Sequence, residues 1–189
     1  MKKRPSTVEL KKELRRVNRK NNKIFKGGIV AGIVVVASAI AVLLAYLVMP
    51  VFRVYGSSME PLLKQNNICL SINGSKYTNG DIVAFYYDNK ILAKRVIGEP
   101  GDWIDIDDEG NIFVNNKCVE EPYLLEKALG NCDIDLPYQV PEDSYFLVGD
   151  NRAESIDSRN KAMGSIKSEK IIGRLTLVVW PLRDVKVIR

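Results

Sequence analysis

The stretch GGIVAGIVVVASAIAVLLAYLVMPVF, residues 27–52, decides how this chain of 189 residues is organised. It has 26 consecutive residues without a charge and is rich in Val, Ile, Ala and Leu. About 20 such residues in a helix cross a hydrocarbon core, so the run predicts a transmembrane helix. A cleavable leader, which would have a shorter apolar core, and a buried soluble helix are the alternatives. The length of the run favours an uncleaved anchor.

Charge differs sharply on the two sides of this run. Residues 1–26 carry eleven Lys or Arg and two Glu, whereas residues 53–189 carry seventeen basic and twenty-one acidic side chains. The positive-inside rule therefore predicts a cytoplasmic basic tail at 1–26, a transmembrane anchor at 27–52 and an extracytoplasmic domain at 53–189. Residues 5–26 are also a candidate amphipathic helix on anionic membrane lipid. The mildly acidic body argues against nucleic acid as a partner.

The part of the chain after residue 53 has the pattern of short strands separated by turns. This pattern predicts a mainly β domain. The candidate strands are residues 68–72, 81–87, 91–97, 144–148 and 171–180, together with a hairpin formed by 103–106 and 112–114. Residues 122–131 are a candidate short helix.

The chain contains no histidine, which narrows the chemistry that it can perform. Ser-His-Asp triads, Cys-His proteases and His-ligated metal sites are excluded. Cys69, Cys118 and Cys132 have no CxxC spacing, so we predict no metal site, and we predict no cofactor. Outside the cytoplasm a disulfide is allowed, and Cys118 with Cys132 is the candidate pair. Free cysteines are the alternative.

Three polar features stand out in the predicted β domain. Ser58 follows another serine and precedes Pro61, a pattern that presents a hydroxyl at an edge but also suits an ordinary turn. Lys94 lies in the middle of an apolar strand, where a lysine either reaches solvent, pairs with a carboxylate or stays buried. Residues 149–159 form a dense polar loop that either holds itself together or surrounds a catalytic group.

Four segments in order resemble the type I signal peptidases, the membrane-bound Ser-Lys proteases that remove signal peptides from exported proteins. Residues 58–61, Ser-Met-Glu-Pro, resemble the nucleophile segment, and residues 80–83, Gly-Asp-Ile-Val, resemble the segment that follows it. Residues 94–102 are similar to the general-base segment, and residues 149–159 are similar to the last segment. The single preceding anchor and compact size resemble the Gram-positive bacterial members. The resemblance implies an antiparallel β domain of the signal peptidase type.

The resemblance also implies roles for individual residues. Ser58 would be the nucleophile, Lys94 the general base, and Ser155 the hydroxyl that orients the lysine amine. The rest of the last segment would support this loop: Asp150, Arg152, Asp157 and Arg159. The backbone N–H of Ser58 would bind the oxyanion. Some family members add a serine hydroxyl two residues before the nucleophile, but this chain has Gly56 there, which leaves the second donor unidentified.

The expected substrate is a preprotein signal peptide, bound as an added strand. It would lie between the segment before Ser58 and the strand before Lys94, with small pockets for an Ala-x-Ala type site. The lining residues would be Phe52, Val54, Met59, Leu63, Ile91, Leu92 and Ala93. The resemblance places the enzyme in a bacterial plasma membrane, single-pass, with the N-terminus in the cytoplasm, near the secretion translocon.

Three other readings compete with a general signal peptidase. One is a peptidase dedicated to a few surface proteins, and another is an anchored, non-catalytic assembly factor, which should lack Ser58 or Lys94. The third is a self-cleaving repressor of the DNA-damage response, which is soluble and has a DNA-binding domain where this chain has an anchor. A lysine base near pH 7 needs its pKa lowered by about 3 units from 10.4, which burial can supply. Lys94 meets that need and is the best candidate base.

Overall fold

The computed structural model describes residues 7–48 and 50–188. The chain forms two compact units, and the boundary between them lies between Leu47 and Val48. The N-terminal unit is one helix, α1, at Thr7–Val48. Its part Phe25–Leu43 is the one described helix long and apolar enough to cross a membrane. The described helix thus includes residues 27–48 of the predicted apolar run 27–52. Pro50 follows, and a proline cannot continue the ladder of helical hydrogen bonds.

The C-terminal unit consists of two antiparallel sheets, which confirms the predicted mainly β fold. The strands are β1 Val51–Arg53, β2 Ile68–Ile72, β3 Ile82–Tyr87, β4 Lys90–Gly98, β5 Trp103–Ile106, β6 Ile112–Val114, β7 Lys117–Cys118, β8 Tyr138–Gln139, β9 Ser144–Val148, β10 Ile166–Lys167, β11 Ile171–Trp180 and β12 Lys186–Val187. The larger sheet has the order β1-β2-β11-β3-β4-β9-β10, and β12 pairs with β11. The smaller sheet has the order β7-β6-β5-β8.

Most of the predicted strands are confirmed. They form because their alternating side chains pack into apolar clusters on both sides of the larger sheet. β2, β9 and β11 have the predicted bounds, β3 begins one residue later than predicted, and β4 is one residue longer at each end. The predicted hairpin is β5 with β6, in which Ile104 lies opposite Val114.

The predicted helix at residues 122–131 is wrong. This segment forms turns and irregular backbone. The carbonyl oxygens of Ala128 and Leu129, which a helix would use internally, accept hydrogen bonds from Arg159 at 3.4 and 2.8 Å. A side chain about thirty residues away in the chain therefore sets the backbone here.

The suggested disulfide between Cys118 and Cys132 is also wrong, since all three cysteines are free. Cys118 is exposed on β7, whereas Cys132 packs against the apolar cluster of the smaller sheet. Cys69 is buried in β2, and burial raises the pKa of its thiol to about 11, opposed by the charge of Lys186.

Candidate active site

Buried apolar side chains before and after Ser58 hold the turn that carries it. Val54 and Met59 are buried, and Leu63 is wholly buried in the same cluster, while Ser58 is partly exposed between them. The backbone N–H of Glu60 donates to Ser57 O at 2.9 Å, and that of Leu63 donates to Met59 O at 2.8 Å. The serine hydroxyl is therefore held at the surface by a turn with little freedom to move.

The polar loop that follows β9 packs directly on this turn. The N–H of Asn151 donates to Ser58 O at 3.0 Å, and the hydroxyl of Ser57 donates to Glu154 Oε2 at 2.7 Å. A Cβ atom on Gly149 would lie 2.5 Å from Ser58 O and 2.2 Å from Ser155 Oγ. The carbonyl oxygen of Ser58 and the hydroxyl of Ser155 thus both lie so close to Gly149 that no side chain fits at this position.

Lys94 reaches the same place from the middle of β4. Its residue is 2% exposed, and its Nζ donates to Ser155 Oγ at 2.7 Å. Among the described residues it forms no salt bridge, so it neither reaches solvent nor pairs with a carboxylate. Among the described residues, no hydrogen bond joins Lys94 Nζ to Ser58 Oγ. Hydrogen bonds between catalytic groups are often long in the absence of substrate.

Burial lowers the pKa of Lys94 from 10.5 to about 8. The charges of Asp157 and Asp150 oppose this shift, and that of Arg159 adds to it. At pH 7 roughly a tenth of the molecules would therefore hold this amine neutral, compared with well under a thousandth for a lysine in water. The amine can accept a proton near neutral pH.

Asp157 and Arg159 form a buried ion pair next to Ser155. Burial alone would raise the pKa of Asp157, but hydrogen bonds and charge from Arg159, the N–H of Gly149 and the Ser155 hydroxyl outweigh it, so the pKa lies below its ordinary value. Arg159 donates from Nε to Asp157 Oδ1 at 2.8 Å and from Nη2 to Oδ2 at 2.9 Å. The Ser155 hydroxyl, which contributes to this lowered pKa, is also the group that accepts from Lys94 Nζ.

Asp150 and Arg152 are buried in two further ion pairs. Asp150 accepts from Arg95 Nε at 2.8 Å and Nη2 at 2.7 Å, and Arg152 donates from Nη1 to Glu121 Oε2 at 3.0 Å. No role for Arg95 or Glu121 was predicted from the sequence. Arg95 lies within one of the four segments, beside Lys94, whereas no pattern in the sequence singles out Glu121.

A cleft beside Ser58 contains six of the seven predicted substrate residues. Its lining is Phe52, Arg53, Val54, Tyr55, Ser58, Met59, Ala84, Ile91, Leu92, Ala93 and Leu175. Leu63 does not line it, since this side chain is wholly buried in the core. Sequence reasoning missed Arg53, Tyr55, Ala84 and Leu175, of which Ala84 and Leu175 come from neighbouring strands of the sheet.

Two backbone features complete the cleft. The N–H of Ser58 donates to no acceptor among the described residues, so it is available to an incoming oxygen. Gly56 is exposed with φ of +83°, a conformation that favours glycine, and it brings no side-chain donor.

The half of β4 nearest the cleft has one free edge. On one side, β4 pairs with β3 from Lys90 to Arg95. On the other side, β9 pairs with β4 only at Arg95, Val96 and Gly98. Within the part of the chain that the structure describes, Ile91–Ala93 therefore have no strand partner on that side.

Fold and site define a mainly β protein in which a turn serine, a buried lysine and a narrow cleft lie together. A sequence model of the family described as signal peptidase, peptidase S26, matches residues 28–180. This chain therefore belongs to the signal peptidase family, the enzymes that remove signal peptides from preproteins.

Relatives of known name agree with this family over most of the chain. Signal peptidase I U of Bacillus subtilis (strain 168) is 35% identical over 179 residues, covering 88% of this chain and 94% of the relative. A signal peptidase I of Bacillus amyloliquefaciens is 34% identical over 184 residues, covering 90% and 92%. A crystal structure of a signal peptidase I from Enterococcus faecalis is 29% identical, with a TM-score of 0.46, covering 55% of this chain and 100% of that one.

The lowered pKa of Lys94 predicts a pH-dependent contribution to stability. Below pH 8 the lysine is protonated in both the folded and the unfolded state, and between pH 8 and 10.5 only the unfolded state holds the proton. The free energy of unfolding should therefore rise with pH across this window, by about 3 kcal/mol relative to Lys94→Met.

Chemical denaturation of both full-length chains in detergent at several pH values measures this difference. Other titrating groups, Cys69 among them, are common to the two chains and cancel. Parallel stability curves for wild type and Lys94→Met would contradict the lowered pKa.

Proposed function

We propose that this signal peptidase uses Ser58 as nucleophile and Lys94 as general base. Neutral Lys94 Nζ takes the proton of Ser58 Oγ, which attacks the scissile carbonyl, and the N–H of Ser58 stabilises the oxyanion. The lysine then gives its proton to the leaving amine. A water, deprotonated by the same amine, hydrolyses the acyl-enzyme and regenerates the serine.

The observation that carries this proposal is the environment of Lys94. In a chain without histidine, its amine is buried, bonded to a hydroxyl and not to a carboxylate, and its pKa is about 8. A lysine kept only for structure would gain stability from an ion pair or from solvent, and this one has neither. Such an arrangement maintains a base near neutral pH at the expense of stability.

The cleft supports an extended substrate that ends in small side chains. A peptide placed between Phe52–Val54 and Ile91–Ala93 would hydrogen-bond the free edge of β4 as an added strand. Its side chains would alternate toward the narrow cleft next to Ser58, which suits alanine-like groups at the first and third positions before the cut.

The charge pattern and the apolar helix support a placement in the membrane. We propose a cytoplasmic basic tail at 1–26, an anchor within 27–52 and a catalytic domain at 53–189 on the outer face of the plasma membrane. The basic tail would contact anionic lipid, and preproteins would arrive from the nearby secretion translocon.

Cleavage of an exported preprotein with an Ala-x-Ala site by the full-length chain in detergent tests the proposal. Ser58→Ala should lower the rate by a factor on the order of 10³ or more. Ser57→Ala is the matched control and should stay within about fivefold, since its hydroxyl only donates to a partly exposed carboxylate. The mass of the product should place the cut after the second alanine.

One outcome would contradict the proposed nucleophile, and another would change the proposed substrate range. Equal activity of Ser58→Ala and wild type would remove Ser58 as the nucleophile. A folded, membrane-inserted wild type that cuts no general preprotein would instead point to a dedicated substrate.

A further inference from the structure

A segment outside the four family-like stretches clamps the loop that follows β9. This clamp segment, residues 119–130, connects β7 with the turns before β8. Its Glu121 accepts hydrogen bonds from Nη1 and Nη2 of Arg152, and the two side chains are at most 1% exposed. Both charges are removed from water, and each one offsets the desolvation cost of the other.

Tyr123 links this ion pair to a second one. Its hydroxyl donates to Glu121 Oε1 at 2.8 Å, and its ring lies 3.8 Å from the guanidinium carbon of Arg95, which holds Asp150 by two hydrogen bonds. Burial and the charge of Glu121 raise the pKa of Tyr123, so the hydroxyl remains a donor at any working pH. The two arginines are thus fixed by one tyrosine and one glutamate.

Arg152 connects the clamp segment to the residues around Lys94 and Ser58. Its Nε donates to the carbonyl oxygen of Gly149 at 3.2 Å. Gly149 is the residue wedged between the carbonyl of Ser58 and the hydroxyl of Ser155. A continuous chain of buried contacts therefore runs from Glu121 through Arg152 and Gly149 to the hydroxyl that orients Lys94.

We propose that Glu121 and Tyr123 are positioning residues, which hold Gly149 and Ser155 against the nucleophile turn and keep water away from Lys94. This inference rests on the proposed Ser58–Lys94 chemistry, because it assigns what fixes the lysine. Neither residue touches the substrate cleft as the structure describes it. Their effect on cleavage is transmitted by the loop.

Loss of the Glu121 charge leaves Arg152 buried without a counter-ion. The loop is expected to admit water around this guanidinium, and Ser155 moves with it. The charged groups that face Lys94, namely Asp150, Asp157 and Arg159, are unchanged by the substitution. Hydration of the amine then raises its pKa toward the value of a lysine in water.

The test is the pH–rate profile of preprotein cleavage between pH 6 and 10 by full-length Glu121→Gln. We expect kcat at pH 7.5 to fall roughly 10- to 100-fold with KM changed less than about threefold. The midpoint of the rising limb should increase by at least about half a pH unit. Tyr123→Phe, which keeps the ring under Arg95, should shift the midpoint in the same direction by less.

The matched control is Glu120→Gln, the neighbouring residue, which is exposed and has no side-chain partner among the described residues. Its profile should superimpose on that of wild type. In an Arg152→Met background, Glu121→Gln should cause no additional shift, since the two residues act through one contact.

An unchanged midpoint in Glu121→Gln and Tyr123→Phe would overturn the inference, because a purely structural role lowers the amount of folded enzyme without moving its titration. If Glu121→Gln does not fold, Tyr123→Phe decides the question alone. Failure of the underlying chemistry is separate: it would appear as activity in Ser58→Ala or Lys94→Ala.

Discussion

Lys94→Met should abolish preprotein cleavage, lowering kcat by a factor on the order of 10³ or more at every pH from 6 to 10. No histidine exists to replace the amine, and the neighbouring Arg95 is held by its ion pair with Asp150. Wild-type kcat/KM should rise with pH and level off, with a midpoint near the pKa of about 8 given to Lys94 by burial.

Two companion variants make this result specific. Lys94→Arg should be as inactive as Lys94→Met, because a guanidinium keeps its proton throughout this range. Lys90→Met, an exposed lysine at the start of the same strand, should keep at least about half of the activity. Cleavage by Lys94→Arg that rises with pH like wild type would mean that another group is the base.

Gly149→Ala should also disable the enzyme, although it adds a single methyl group. That methyl would lie 2.2 Å from Ser155 Oγ and 2.5 Å from Ser58 O, distances at which the loop and the nucleophile turn must separate. A displacement of about 1 Å at such a place can cost about 10²-fold in rate. We expect a loss of at least that size in kcat, together with a destabilisation of about 1–3 kcal/mol from overpacking.

A glycine with open space around it provides the control. A Cβ atom on Gly28, in α1, meets no atom within 4 Å, so Gly28→Ala should keep wild-type activity and melting temperature. Steady-state cleavage and thermal unfolding of the three full-length chains measure both effects. Gly149→Ala with wild-type kcat would show that Ser58 and Ser155 need not meet over this glycine.

The long strands were predictable because local patterning and tertiary burial agree in them. β9 is a run of five buried residues bounded by polar turns, and half of the ten residues of β11 are β-branched. Lys94 was predicted as a polar residue in an apolar strand, and the family resemblance pointed to Ser155 and Asp157. The structure joins Lys94 to Ser155 by a hydrogen bond.

Other features depend on contacts that no local pattern contains. Residues 122–131 have helix-forming composition, but Arg159, at the end of the loop after β9, binds the segment. Arg152 of the same loop binds Glu121, the residue just before it. Two-residue strands such as β7 and β12 offer too few positions for any alternation to appear. Leu63 was predicted to line the cleft, yet the turn that carries Ser58 directs it into the core.

The free edge of β4 imposes a demand on the proposed substrate that concerns conformation and not sequence. A strand edge forms its hydrogen bonds only with extended backbone, whereas an apolar segment inside a bilayer satisfies its backbone groups as a helix. The residues before the cut must therefore uncoil as they leave the lipid. Helix-breaking residues a few positions upstream should make a precursor easier to process, and a strongly helix-forming stretch there should protect an otherwise suitable alanine.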